Sequence, residues 1–402
     1  MTGSAGLLWC FCSLVGGGQD ESALRQGGDW LLANGRADGL FRYGFEPALD
    51  RDIDEENLVR QAGTATALAR VGSILDDRAM IDRAREVIQK LLARRSDRQQ
   101  ESASVRRRFE KKQGAHPVGW SALLLLALAE LDKRTDLERT QGDELAGFLL
   151  ACQRPDGSIR LQAIDDEDAD EGDVDEEGWA YYPGEALFAL ARWGAIRQDA
   201  RYWESVRKSR TVYTRLWRQE KEPAFVPWQS AAHAELFLAH GDPASSAFVF
   251  EMNDWLLELQ FDGETSPAGW KGGFGHYQAG QRWAVEPNIS TASYAEALVE
   301  AVRVAHQAGD VRRVERYRRA LDEALAFVSS LQYQPDRLGH FHDTYRNKLA
   351  GAFFEAPFDG TVRIDFTQHA LMAMGGRERL SRTSESARMG TGSNPAGRTK
   401  RR

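Results

Sequence analysis

Three short stretches carry side chains suited to acid–base chemistry on a bound substrate. Tyr182-Pro183-Gly184-Glu185-Ala186-Leu187 and Tyr294-Ala295-Glu296-Ala297-Leu298 place a glutamate shortly after a tyrosine in an apolar segment. Asp365-Phe366-Thr367-Gln368-His369 places an aspartate four residues before a histidine. Hydrolysis of a glycosidic bond needs one protonated and one ionised carboxyl group, and their separation decides inversion or retention. Glu185 and Glu296 are the first choice for that pair, with Asp365 as substitute. Histidine, with a pKa near neutrality, suits a proton transfer in an isomerase or lyase, and His233 and His369 in the apolar segments are the candidates. Arg60-Gln61 opens another such segment. An arginine at a helix start works against the helix dipole, so Arg60 should have a partner, either an acidic neighbour or an anionic substrate group. Trp120, Tyr181, Trp228, Asn288 and Gln368 add aromatic faces and amides, a mixture that stacks on sugar rings and hydrogen-bonds hydroxyls.

Each residue also has a plainer reading. Glu185 and Glu296 suit first-turn acids, favoured by the dipole, and capping alone would account for Asp365. A lone helical histidine is more often a satisfied core residue. For the glutamates position argues otherwise. On a helix buried all round there is no solvated face, so the carboxylate must meet a pocket or an arginine such as Arg60.

The elements that position these residues are repetitive. Asp254-Trp255-Leu256-Leu257-Glu258-Leu259-Gln260-Phe261-Asp262-Gly263 is echoed at 29–39, at 148–157 and at 327–336. Each copy is a helix end, an amide (Asn34, Gln153, Gln260, Gln332), a turn, and then an aromatic or branched residue (Phe41, Ile159, Phe274, Phe341). The amide is expected to bond the last unpaired carbonyls of its helix. Twelve helices follow from the periodicity, of two alternating kinds. One kind is rich in Ala and Leu and apolar all round: 57–75, 117–131, 181–195, 227–240, 290–307 and 366–374. The other is amphipathic, with Arg and Glu on one face: 20–34, 77–95, 137–153, 200–218, 244–260 and 311–332. Alternation at a period of about 60 residues is what a closed ring of helical hairpins requires.

Over 20–376 this pattern resembles the (α/α)6 toroid of the six-hairpin glycosidase-like superfamily. It is similar in architecture to terpenoid cyclases and protein prenyltransferases. The resemblance implies an all-α fold of six hairpins with short strand pieces between repeats, in which the starts of the inner helices converge on one mouth. It implies a carbohydrate-active, glycoside hydrolase-like enzyme that takes a sugar or oligosaccharide there, with no cofactor or metal. Trp228-Gln229 with Ala234-Glu235 is similar to a segment of the sugar 2-epimerase branch, where histidines move the proton. A terpenoid cyclase-like enzyme and a non-catalytic toroid that binds a glycan or a protein are the remaining alternatives.

Composition narrows the field. A 402-residue chain with 42% hydrophobic residues buries a large core, and its formal net charge of −8 argues against nucleic acid as a partner. Cys10, Cys12 and Cys152 form neither a disulfide framework nor a zinc pattern, and Cys152 reads as a core residue. The Asp- and Glu-rich run 165–177 lacks the spacing of a metal or diphosphate site and reads as a solvated loop. The Gly-rich run 270–275 lacks the ending of a phosphate loop. Residues 1–19 form an N-terminal segment, 20–380 the toroid and 381–402 a basic disordered tail. No apolar run is long enough to span a bilayer, which suits a cytoplasmic protein. The alternative is export, if the apolar residues 7–15 act as a signal segment.

Overall fold

The computed structural model describes residues 13–98, 111–161 and 178–391. The acidic run 165–177, Cys10, Cys12 and the basic triplet 106–108 lie outside them. Six helices form an inner barrel: α2 (Leu58–Leu75), α4 (Pro117–Glu130), α6 (Tyr182–Arg197), α8 (Phe225–His240), α10 (Ser290–Gln307) and α13 (Ile364–Thr391). Each packs on the next, and α13 closes the ring against α2. An outer layer surrounds them: α1 (Ser13–Ala33), α3 (Arg78–Arg98), α5 (Asp136–Ala151), α7 (Ala200–Gln219), α9 (Pro243–Leu256) and α11 (Val311–Ser330). The outer helices back the inner ones, α1 covering α13 where the chain closes on itself.

The two kinds of helix follow from their sequences. In α4 every residue from Val118 to Glu130 is buried, because Leu and Ala leave no polar face to turn outward. In α7 the buried residues Tyr202, Val206, Ser209, Tyr213 and Trp217 recur every three or four positions, while Arg201, Arg215 and Arg218 face water. Starts are fixed by caps. Asn57 accepts from the Arg60 amide at 3.0 Å, and Thr135 forms a capping box with Glu138. Cys152 is buried, and burial pushes its thiol up to about 12. No helix among the described residues is long and apolar enough to cross a membrane.

The repeated amide does something other than cap its own helix. Gln153 donates to the carbonyls of Gly157 and Ser205, Gln260 to those of Gly272 and Ala320, and Gln332 to those of Gly351 and Ala23. One bond closes the turn and the other reaches a carbonyl in the middle of the next outer helix. The same turn brings in a glycine with positive φ, Gly157, Gly272 or Gly351, pressed against that neighbouring helix. A Cβ on Gly272 would stand 2.0 Å from the Glu323 carbonyl oxygen. Gly272→Ala is therefore expected to destabilise the protein by roughly 2–4 kcal/mol, read as a lower urea midpoint with unchanged slope. An unchanged midpoint would show that the stitch between outer helices carries no stability.

The residue after each turn pairs back on the amide position, as in Gln153 with Ile159, Gln260 with Phe274 and Gln332 with Phe353. Phe353, rather than Phe341, is thus the counterpart in the last copy. A short helix, α12 (Asp343–Leu349), is inserted before it and displaces the pattern.

Two of the loops pair into an antiparallel sheet in the order β2-β1-β6-β5, from β1 (Gly44–Glu46), β2 (Arg51–Ile53), β5 (Phe354–Ala356) and β6 (Asp359–Arg363). A separate hairpin, β3 (His276–Gln278) and β4 (Gln281–Trp283), lies before α10. Strand β6 runs directly into α13, which sets Arg363 and Asp365 at the mouth of the barrel. Composition after Ser381 predicts a tail, yet α13 continues to Thr391. Arg379 reaches Glu130 and Arg382 reaches the Ile74 carbonyl, which ties this end to the barrel.

Candidate active site

The starts of the inner helices surround a cavity of about 1060 Å³. Glu185, Asp365, His369, Arg60, Tyr181, Trp228 and Gln368 all line it. Their environments separate them into two kinds of acid and one histidine paired with a glutamate.

Glu185 sits in the first turn of α6, 5% exposed, and its Oε2 has no hydrogen-bond partner. Room for it is made by Gly119 of α4, where a Cβ would stand 3.1 Å from that oxygen and 2.5 Å from the Tyr182 ring. Burial without a cation pushes its carboxyl up to about 8, so the acid is protonated at neutral pH. Asp365 is the opposite case. Arg363 binds it through two hydrogen bonds of 2.9 and 2.5 Å, and Arg60 lies 3.2 Å away. Burial works against its charge, but the two guanidinium groups outweigh it and hold the carboxyl below its usual range. Arg60 has thus found the acidic neighbour its place at a helix start called for.

His369 lies one turn after Asp365 and its Nδ1 is 2.7 Å from Glu296 Oε1. Burial lowers the imidazole, whereas the Glu296 hydrogen bond and the nearby Asp365 raise it; the acids prevail and the pKa is raised. Glu296 itself lines a small deeper space of about 20 Å³ beneath the cavity, beside Trp228. Trp228 offers a wall, with its ring edge-on to His369 at 6.3 Å. Gly184 lets α6 approach it, since a Cβ there would fall 2.6 Å from the Trp228 Cβ. Gln368 packs over Gly63, 4% exposed, with its Oε1 unpaired. Tyr181, 45% exposed, stands at the rim.

Five residues expected at the site do not line this cavity: Glu296, of the first-choice pair, is turned toward His369 in the space beneath it, and four more are placed elsewhere. Gln61 is buried, with both amide atoms spent on the Phe41 backbone at 3.0 and 2.9 Å. Trp120 is packed in the core and does not line the cavity. Asn288 accepts from the Ser290 amide at the start of α10. His233 is fully buried, 3.1 Å from Ser245 Oγ, and burial with Arg210 nearby lowers its pKa to about 3. A helix has room for one inward stripe only, and Gln61, Trp120 and His233 lie off it, whereas Asn288 precedes α10 and is spent on the turn that starts it. Conversely, Arg363 and Glu355 from strands and Glu222 from a loop line the cavity, in segments where periodicity gives no signal. His116, the N-cap of α4, also lines it and stacks on Tyr182 at 3.8 Å.

The far end of the barrel is closed by charge. Glu130 lies 2.7 Å from Arg70, 3.6 Å from Arg192 and 3.0 Å from Arg379. Glu235 lies 3.7 Å from Arg192 and 2.9 Å from Arg303, which also holds Glu300 at 2.6 Å. All six inner helices contribute to this ring.

A closed barrel of six inner helices backed by six outer ones has solved counterparts. An unsaturated glucuronyl hydrolase from Bacillus sp. GL1 superposes with a TM-score of 0.60 at 12% identity, over 90% of this chain and 97% of that one. The chain has the six-hairpin glycosidase fold. An inactive variant of the alpha-1,6-mannanase GH76A of Salegentibacter sp. HEL1_6, bound to alpha-1,6-mannotetrose, matches at 0.53 and 12% identity, over 90% of this chain and 99% of that one. A Salmonella enterica protein described as a possible member of the GH105 family matches at 0.53 and 12%, over 94% and 98%. At such identities the likeness is one of fold. No protein-family model matches the sequence, and no curated protein does.

Proposed function

We propose that this toroid is a glycoside hydrolase that cleaves an oligosaccharide held at the mouth of its barrel, with Glu185 as general acid and Asp365 as the ionised partner. The observation that carries the reading is the split between these two carboxyl groups. One is buried without a cation and protonated at pH 7; the other is held ionised by Arg60 and Arg363 in the same cavity. Pairs of titratable groups driven apart in this way mark acid and base roles. Protonated Glu185 would deliver its proton to the leaving oxygen. Asp365 would activate water or attack the anomeric carbon. Trp228 and Tyr181 offer faces for sugar rings. The structural neighbours support this, since their names identify a glucuronyl hydrolase and a mannanase.

The test is release of reducing ends from a panel of oligosaccharides. Asp365→Asn should lower turnover of any substrate found by about 10²-fold or more while leaving the chain folded. Tight binding without turnover by the parent protein would sink the reading in favour of a glycan-binding toroid.

A second reading rests on the His369–Glu296 pair at the cavity floor, which would serve an isomerase or lyase. The two are told apart by isotope. Hydrolysis places ¹⁸O from labelled water in the product, whereas isomerisation through His369 places deuterium on carbon in D₂O.

A further inference from the structure

The inner helices end at a second cavity, of about 540 Å³, on the far side of the ionic ring from the sugar pocket. Five arginines line it, Arg70, Arg192, Arg303, Arg318 and Arg379, against two carboxylates, Glu235 and Glu300. The ring does not balance itself. Its four arginines face three glutamates, Glu130, Glu235 and Glu300, and the Nε groups of Arg70 and Arg192 are buried with no hydrogen-bond acceptor. Buried donors of this kind cost free energy until an acceptor arrives. The cavity is also lined by the apolar side chains of Phe188, Leu238, Val299, Val302 and Leu380. A volume of this size suits a small molecule, and guanidinium forks beside apolar side chains select one with a charged end and a greasy one.

We propose that this far cavity binds an organic anion carrying an apolar body, such as an aryl or acyl carboxylate or sulfonate, independently of the sugar pocket. The acid group lies among Arg192, Arg303 and Arg318, and the body rests on Leu238 and Val302. The site is separate in chemistry from the near mouth, where both guanidinium groups of the Arg60–Asp365–Arg363 cluster are already engaged by a carboxylate. The inference does not depend on the hydrolase reading, because binding is measured without turnover.

The probe is 8-anilinonaphthalene-1-sulfonate, titrated by fluorescence into the full chain, with the uncharged N-phenyl-1-naphthylamine and inorganic phosphate as comparators. Saturable binding of one dye per chain is expected, with the uncharged analogue and phosphate each at least about tenfold weaker. Arg318→Ala, on the outer helix α11, should weaken the dye about tenfold, and Leu238→Trp, which fills the cavity, should abolish saturable binding. Both positions are half-buried, so circular dichroism should show native helix content. If Leu238→Trp unfolds, Arg318→Ala decides alone. Unchanged dye affinity in Arg318→Ala, equal affinity for the uncharged analogue, or no saturable binding by the parent protein would each overturn the proposal. Equal affinity for phosphate would overturn the apolar half of it.

Discussion

Glu185→Gln is expected to cut kcat/KM toward an oligosaccharide substrate by about 10³-fold and, at the same time, to make the protein more stable at alkaline pH. The two effects share one cause. The carboxyl is buried with no cation, and its pKa is raised from 4.5 to about 8. The folded state therefore holds a proton that the unfolded chain releases above pH 4.5. Stability contributed by this group is fully present below that value and is lost as pH rises toward 8. By linkage the loss is on the order of 3–5 kcal/mol. The glutamine side chain keeps the neutral shape and never ionises, so the variant should lose this alkaline slope and melt several degrees above the parent at pH 8.5. Activity of the parent should fall above about pH 8 as the acid deprotonates. A purely structural glutamate would show the stability change without the loss of kcat. A variant with the parent's full kcat removes Glu185 from the mechanism, and one with the parent's alkaline melting curve removes the buried acid itself.

The near mouth was half legible in the sequence, for a geometrical reason. Helical periodicity gives the inner face of a segment, and Glu185, His369, Gln368 and Trp228 lie on such faces. It does not give rotation to within one residue. Gln61 is adjacent to Arg60, yet the step of about 100° per residue turns Gln61 onto the Phe41 backbone and leaves Arg60 in the cavity. His233 looked equivalent to His369 because both sit in apolar helices. One faces the outer helix α9 through Ser245, the other the axis.

The helices themselves were legible because each is long and strongly patterned. For α2 and α10 the expected and observed bounds differ by at most one residue. The sheet was not legible. Its strands are three to five residues long, too short for a period-two pattern to register, and β1 and β6 are joined only through the fold. The ionic ring escaped for another reason. Arg70 and Glu130 are 60 residues apart, and Glu235 and Arg303 are 68 apart, so no local spacing links the partners. The signal was nevertheless present in the repeat. A charge placed late in successive inner helices, at roughly the hairpin spacing, is a charge brought to one ring.

That ring sets the second large expectation. Glu130→Gln should destabilise the protein by roughly 3–5 kcal/mol at pH 7, because it leaves Arg70, Arg192 and Arg379 buried without their shared counter-charge. The sign with pH is opposite to that of Glu185. Burial would raise the Glu130 carboxyl, but the three arginines outweigh it and hold it far below 4.5. Its contribution is therefore present above the unfolded value and is lost as pH falls below about 4.5 toward the folded one. Urea titrations of the parent and the variant should show a smaller stability difference at pH 3 than at pH 7, because part of the Glu130 contribution is lost between those values. A difference of less than about 1 kcal/mol at pH 7 would mean that the arginines are satisfied without Glu130 and that the ring is not what closes the barrel. With one end of the barrel losing stability below about pH 4.5 and the other losing it progressively above that value, these two groups together set the parent's maximum near pH 4.5–5. The Glu130→Gln and Glu185→Gln variants should each flatten only their own limb of that curve.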